Sequence, residues 1–589
     1  MNSPDVYLGC LQQALALVSS GEPDEALQLL ADIPRDSGFH PHALHLRGVA
    51  HATQGRTADA IASFEDALPW LADNDELLGN LARAYTASER FVEALALLDK
   101  LASGGKPSAI TYSDRAVVLE KLEEDGLALD SYDIALTLDA SLHPAWTGKA
   151  NLLHKIGRYD EALACHDCLL AMQPDNALAI SGRASTLDKL GRMLEALPEH
   201  RHAQAISPRQ AAIWCGHGVC LVLLDRLEEG LHCFDQALEV DPSHLQAMIN
   251  RASVLAELGR YPASLAQFDN ALLRAPAGSK ARAQTLCFQG MVRLTLGNPE
   301  GWAGHAHRTF AGQRLDKHNA MAPLWSGAEP LAGKRILLWG EQGYGDIIQF
   351  CRYVVPLAEL GATVLLEVPR RLVSLCASLP AATFHEQDAA IPPHDFHIPM
   401  MSMPLALQNH PQVAAIPCAG GYLHAGPRFV EKWKDALPRS TRKPRIGLAC
   451  SGALHHPRNA RRSIPLEKLL TLTGLADLVM LQPELLPDDL AVAKASADLI
   501  RPALDIDDFS DVAGLIANLD LVLSVDTSIA HLAGALGVPV WVFLPWNAEW
   551  RWETDRADTP WYESARLFRQ SSPNDWDAVI REVHRALTG

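Results

Sequence analysis

Spacing of small and apolar residues divides the chain into two halves of different character. In the first, small residues return every 34 positions: Ala26, Ala60, Ala94, Ala128, Ala162 and Ala196, then Gly230 and Ser264. Twelve positions earlier runs a second small column, Ala14, Gly48, Ala82, Ala116, Ala150, Ala184, Gly218 and Ala252. Four residues after the first column stand Leu30, Phe64, Leu98, Tyr132, His166, His200, Phe234 and Phe268, and Pro174, Pro208, Pro242 and Pro276 keep the same step. A period of this length predicts one supersecondary unit per repeat. Two short helices cross closely where the small residues sit, and the bulky residue fills the gap to the neighbouring pair. The pattern predicts about eight repeats over residues 8–276 and a related, atypical pair to roughly 310.

From about residue 330 that step disappears and apolar runs alternate with helical stretches. The runs predict strands at 335–341, 363–369, 383–387 and 395–400, with a helix over 346–360. After a proline-bearing stretch at 404–443 they resume at 444–452, 477–483, 499–506, 521–526 and 538–545, and an amphipathic helix closes the chain at 575–589. Buried parallel strands alternating with helices predict doubly wound sheets, twice over. The expected domains are a repeat solenoid over 1–310 and Rossmann-like domains over 320–435 and 440–589. The longest apolar stretch, "LVLSVDTSIAHLAGALGVPVWVFLP" from Leu521, is interrupted by Asp526, His531, two glycines and Pro539. A spanning helix needs about 20 predominantly apolar residues. This stretch instead predicts strand, polar turn, helix and strand, and no membrane span is expected.

Segments such as "AWTGKANLLHKIGRYDEALACHDCLLAMQPDN" resemble the tetratricopeptide repeat in period and pattern. Such arrays stack into solenoids that offer extended binding surfaces, so a protein partner held by the repeats is expected; the other reading is oligomerisation or support of the second half. The 589 residues carry a net charge of −19, which argues against a nucleic-acid partner but leaves room for a small basic pocket. The start of the chain has Asp5 and no cationic segment, so no signal peptide is expected. With eleven cysteines and no export signal, a cytoplasmic location with reduced thiols is expected. Cys165-His166-Asp167-Cys168 and Cys215-Gly216-His217-Gly218-Val219-Cys220 have zinc-like composition, but both fall inside repeat helices, where thiols serve as packing.

Ligands of doubly wound sheets sit beyond the carboxyl ends of the strands. Two polar turns are therefore singled out. In the first, "GEQGYGD", Gly343 and Gly345 let the backbone approach a ligand and Asp346 begins a helix. In the second, Asp526 ends a strand and Thr527 or Ser528 can cap the helix that carries His531. Free amides and the helix dipole favour an anion there, notably a phosphate. Capping alone is the alternative for Asp346, Asp526, Thr527 and Ser528, and a core role is the alternative for His531. The basic cluster "HHPRNARRS" follows a strand end; Arg458 and Arg462 are the candidates to meet a diphosphate, Arg461 points outward, and a solvated loop is the other reading. Ser451 and Gly452 are placed to approach the phosphates, and Gln482 to meet the nucleotide base. Asp505-Ile506-Asp507 has the carboxylate spacing of a metal site, but it lies before a helix that Asp508 or Ser510 can cap, and no metal is expected there. The aromatic stretch 546–562 reads equally as a ligand cover or as structure.

"EQGYGDIIQFCRYV", "CSGALHHPRNARRSIPLEKL", "DVAGLIANLDLVLSVDTSIAHLAGALGVPVWVFLP" and "WRWETDRADTPWYESARLFRQ" resemble bacterial tetratricopeptide-repeat glycosyltransferases. Their catalytic half is similar to lipopolysaccharide heptosyltransferases, with two Rossmann-like domains in the glycosyltransferase-B arrangement. The layout of repeats followed by a transferase also resembles the O-linked N-acetylglucosamine transferases. The resemblance implies an inverting, metal-independent glycosyltransferase with a nucleotide-diphosphate sugar as co-substrate and no cofactor. The acceptor it implies is a protein hydroxyl, flagellin being typical. It implies that Asp346 is the general base, because the heptosyltransferases place theirs in a Gly-Asp at the first turn, matched here by Gly345-Asp346. A heptosyltransferase-like enzyme with a glycan or lipid-linked acceptor, and a non-catalytic scaffold that binds nucleotide, are the alternatives. The sugar, the base and the oligomeric state are not legible.

Overall fold

The computed structural model describes residues 4–589 except 105–107, 309–317, 320, 342, 380–381, 387–390, 409, 411–412, 414–415, 439–442, 453–458 and 503–505. The first 300 or so residues are an all-α solenoid of helix pairs. Eight pairs run from Pro4–Ser19 with Pro23–Ala31 to Leu245–Glu257 with Tyr261–Arg274, and a shorter pair, Lys280–Thr295 with Gly301–His305, follows. Two compact units, 1–247 and 248–589, divide within the helix Leu245–Glu257.

The columns of the sequence are the contacts of the array. Ala26, Ala60, Ala94, Ala128, Ala162 and Ala196 are all fully buried, as are Ala14, Ala82, Ala116, Ala150 and Ala184. A β-carbon added at Gly48 would lie 2.3 Å from the Phe64 ring, and one added at Gly218 2.7 Å from the Phe234 ring. The bulky residue thus occupies the space that the small one, sixteen positions earlier, leaves open. A second column fixes the stacking through charge. Arg115, Lys149 and Arg183 pair with Asp99, Asp133 and Asp167 at 2.7, 2.5 and 2.6 Å, each sixteen residues back. These pairs are partly exposed and contribute less than about 1 kcal/mol each; what they add is register.

The second unit contains two parallel sheets. The first has four strands, β1 (Arg335–Trp339), β2 (Thr363–Val368), β3 (Ala382–Glu386) and β4 (Phe396–Pro399), in the order β3-β2-β1-β4. The second has six, β5 (Arg445–Ala449), β6 (Asp477–Met480), β7 (Leu499–Ile500), β8 (Leu521–Val525), β9 (Val540–Leu544) and β10 (Ala565–Arg569), in the order β10-β9-β8-β5-β6-β7. Ile336 pairs with Val364 on one side and Phe396 on the other, and Leu448 faces both Met480 and Leu523. Each sheet grows outward in one direction and then reverses. The reversals lie between β1 and β4 and between β5 and β8, and at such switch points the strand ends diverge and leave room for a ligand. One continuous buried core holds Ile336 and Leu338 of the first sheet together with Ala449, Val522 and Val540 of the second. The opposite face of the second sheet, including Ile446, Leu523 and Phe543, is covered by Trp576, Val579 and Val583 of the closing helix Trp576–Thr588.

Several elements differ from their sequence expectation. The predicted helix over 346–360 begins earlier, at Tyr344, and breaks into Tyr344–Phe350, a tight turn Cys351–Tyr353 and Val354–Glu359. Pro356, with no N–H to give, sits in the first turn of the last segment, where a helix tolerates it. The predicted strand at 499–506 is only two residues long and is followed by Arg501 and Pro502. β10 lies in a stretch that the alternation does not mark.

Candidate anion site at the facing turns

The turn after β1 and the turn after β8 lie side by side. A β-carbon added at Gly345 would sit 3.0 Å from His531 Cδ2 and 3.6 Å from the Ser528 Cα. Gly345 is therefore the residue that lets the two turns touch. Gly343 is different: it is exposed, caps the helix Tyr344–Phe350 and has open space around it. Asp346 is the third residue of that helix rather than its first, so it does not cap by position.

Asp346 forms an ion pair with Arg551, which the turn Trp550–Trp552 brings from the far end of the chain. The Arg551 guanidinium also donates to Gln349 Oε1 at 2.8 Å and to Glu549 at 2.8 Å, and lies 4.4 Å from the centre of the Trp550 ring. Burial pushes the Asp346 carboxyl above its ordinary range, and Arg551 opposes that rise. Two further buried arginines lie nearby, and the first of them braces the same turn. Arg308 holds Glu341, directly after β1, through contacts of 2.8 and 2.6 Å, with both side chains almost wholly inside. Arg352 donates to the Trp561 carbonyl at 2.9 Å and lies 4.6 Å from the centre of the Tyr422 ring.

In the second turn Thr527 is the cap: its Oγ accepts from the Ile529 N–H at 3.3 Å, and the helix runs Ser528–Ala535. Ala530 and His531 donate to the Thr527 carbonyl, while the Ser528 N–H has no acceptor within the chain among the described residues. Arg462 reaches this turn by donating to the Asp526 carbonyl at 2.9 Å, and its Nε is buried without a partner. His531 hydrogen-bonds Tyr562 at 3.0 Å and stacks on Trp552 at 5.5 Å. Burial and the surrounding arginines hold His531 well below the usual imidazole range, so the ring is neutral. A free amide and a partly unpartnered guanidinium at a helix start make this turn a candidate anion site in a chain of net charge −19.

Asp526 lies beside that amide, and burial with the nearby Glu549 carboxylate pushes its carboxyl up to about 7. The folded protein then holds a proton that the unfolded chain, at the ordinary value of 3.8, releases. Stability from this source is complete below the ordinary value and is lost as pH rises through the raised one. Asp526→Asn, which mimics the protonated acid, should gain in Tm over the native protein between pH ~4 and ~7 and hold that gain above it. A gain independent of pH would contradict the protonated assignment.

The other candidates scatter. Gln482 accepts from the Cys450 and Ser451 N–H groups at 2.7 and 3.1 Å and donates to Ser451 Oγ at 2.8 Å, so it pins the turn after β5. Gly452 lies under the Arg462 guanidinium, where a β-carbon would come within 2.3 Å. Ser451 and Gly452 thus stand at the switch point beside Arg462. Arg461 pairs with Glu257 at 2.8 Å. Asp508 caps the helix Phe509–Ile516. Arg458 and Asp505 lie outside the described residues, and Asp507 donates its N–H to Asp511 at 3.1 Å. Arg551, Arg308, Arg352 and Glu341 were not singled out from the sequence, although Glu341 lies in the turn "GEQGYGD"; for Arg551 the signal was the mixture of charge and aromatic residues in 546–562.

Within the repeats a groove of about 330 Å³ is lined by Val49, Thr53, Phe64, Asn80, Arg83 and Ala84 among others. It has an apolar floor, and at its edge Arg83 donates to Asn80 at 2.6 Å and to Asp114 at 3.2 Å. No described helix is long and apolar enough to cross a membrane.

Tetratricopeptide-repeat models match residues 51–106, and also 11–76 and 222–280. Over 342 residues the chain is 28% identical to Protein FlbA of Caulobacter vibrioides, covering 54% of this chain and 56% of that protein. It thus spans little more than half the length of this relative. A tetratricopeptide repeat protein from Parabacteroides merdae is similar in structure, with 20% identity, 40% of this chain and 93% of that one covered, and a TM-score of 0.35. YrrB, described as a repeat protein with an unusual peptide-binding site, is 28% identical over 31% of this chain and 93% of its own, with a TM-score of 0.24. The chain therefore carries tetratricopeptide repeats in its first half, has a homologue in FlbA, and continues into a region of parallel sheets.

Proposed function

We propose that the chain is an inverting, metal-independent glycosyltransferase of glycosyltransferase-B architecture. It moves a sugar from a nucleotide-diphosphate donor to a hydroxyl of a protein held by the repeats, flagellin being the expected type. The observation that carries the reading is the pair of facing turns at two switch points: one offers an anion site at Ser528 and Arg462, the other a carboxylate at Asp346. In the reaction the acceptor oxygen attacks the anomeric carbon as the bond to the diphosphate breaks. Asp346 takes the hydroxyl proton. The nucleoside diphosphate leaves with its new charge met by Arg462, the Ser528 amide and the helix dipole. The protein works in the cytoplasm, where activated sugars are made.

A second reading has its own support. Asp346 is tied to Arg551, and a carboxylate held in an ion pair suits a scaffold that binds nucleotide without turnover. Intact-mass analysis of candidate proteins incubated with the chain and a mixture of nucleotide sugars separates the two. The expected result is a sugar-sized mass gain on a protein acceptor with release of nucleoside diphosphate. Nucleotide binding with neither transfer nor hydrolysis would establish the scaffold instead, and transfer to saccharide alone would move the acceptor class to glycans.

A further inference from the structure

The repeat array fills one internal position differently from repeat to repeat, with His154 and His166 in the repeat just before the one of interest. Residues twelve apart join the two helices of a repeat. Glu120 meets Tyr132 there at 2.5 Å, and Val222 and Phe234 hold the equivalent places. In one repeat these places belong to Asp188 and His200. A third column contacts them from the following helix; it reads Val118, Leu152, Thr186, Cys220 and Val254. Asp188, His200 and Cys220 converge from the helices Ala177–Lys189, Met193–Ile206 and Ala211–Leu223.

Their donor atoms, one carboxylate oxygen, one imidazole nitrogen and one sulfur, all lie within 4.8 Å of one another. His200 and Cys220 are fully buried and Asp188 is 8% exposed. Among the described residues the sole cationic partner in reach of the Asp188 carboxylate is His200 Nε2, at 2.9 Å. Asp188 Oδ1 and His200 Nδ1 are buried with no hydrogen-bond partner at all. Burying such groups unsatisfied costs about 1–3 kcal/mol each, at positions where the following repeat places Val222 and Phe234. His217 stacks on His200 at 6.1 Å and fixes its ring.

We propose that Asp188, His200 and Cys220 form a binding site for a zinc-class divalent cation that ties three successive repeat helices together. Zinc takes thiolate, imidazole and carboxylate together, whereas magnesium and calcium take oxygen donors. The charges also close: a dication with one thiolate, one carboxylate and one neutral imidazole is neutral, as a buried site should be. Cys220 gives up its proton to solvent when the metal enters. Tetrahedral zinc spaces its ligand atoms by about 3.5 Å, so modest rotations of the three side chains bring them into place, and a water completes the fourth position. Of the two linear Cys-His motifs, only the second contributes, through Cys220; the set is assembled across helices.

The test uses the full chain, freed of any histidine tag, stripped with chelator and reloaded with zinc or with cobalt(II). The expected result is one equivalent of zinc retained through gel filtration, and, for cobalt, a thiolate-to-metal absorption band in the near ultraviolet. Cys220→Val and His200→Phe install residues that the array itself uses in those columns, so the helical fold should persist by circular dichroism. In each, retained metal should fall at least about tenfold and the cobalt band should vanish. Zinc should raise Tm in the native chain and leave Cys220→Val unchanged. Failure of the native chain to retain zinc, or full retention by Cys220→Val, would overturn the proposal.

Discussion

Asp346→Asn should reduce turnover about 10²–10⁴-fold, the usual weight of a positioned general base, while the donor dissociation constant changes by less than about threefold. The two effects separate because the anion site is built from the other turn, at Ser528 and Arg462. Asparagine keeps a hydrogen-bond acceptor for Arg551 and nearly the same volume, so the contact between the turns should survive. What it removes is the ability to take a proton. The ion pair with Arg551 does not by itself argue against this role. Burial raises the Asp346 carboxyl above its ordinary range and Arg551 opposes that rise, so its basicity exceeds that of an ordinary carboxylate. On the proposed mechanism, activity of the native chain should rise with pH as this carboxyl ionises, and the residual activity of the Asn variant should lack that limb. If Asp346 served only to anchor Arg551, the variant would lose Tm in proportion to any loss of rate and would keep the native pH profile. Single-turnover rates measured well below Tm decide between these outcomes.

What was legible in the sequence follows the range of the contacts. The repeat columns were readable because Gly48 meets Phe64, and Gly218 meets Phe234, at a fixed short separation that recurs with each unit. Strands were readable as apolar runs because parallel strands are buried on both faces, although β1 and β7 end sooner than their runs. Backbone pairing stops where the chain must turn, at Gly340 after β1 and near Pro502 after β7. β10 was missed because Arg566 and Arg569 break its apolar run at the edge of the sheet. The turns themselves were visible, since Gly, Asp and Thr after a buried strand mark a strand end and a helix start. Their partners were not. Arg551 meets Asp346 across 205 residues and Arg352 meets Trp561 across 209. No periodicity encodes such a pairing, and only the fold brings the two together.

Removing residues 1–210 should abolish transfer to a folded protein acceptor while leaving donor hydrolysis within about twofold of the native rate, because a tethered recognition surface raises local acceptor concentration by about 10²–10⁴ without touching the chemistry. The cut is set by packing. Glu257 pairs with Arg461 at 2.8 Å, and Tyr261 lies near enough to Arg569 to feel its charge. The helices that carry these residues belong to the same compact unit as both sheets. A deletion through residue 276 would strip them away and confound recognition with folding. Ending it before the helix Ala211–Leu223 spares one complete helix pair, Ala211–Leu223 with Leu227–Val240, ahead of the helix Leu245–Glu257 in sequence. It also removes the groove at Phe64 and Arg83. A short serine or threonine peptide, too small to engage the array, should be glycosylated equally slowly by both forms. Undiminished transfer to the folded acceptor by the truncated chain would assign the repeats to support or oligomerisation, and acceptor choice would then have to reside in the sheet region, around the exposed Gly343 and the open side of the first turn.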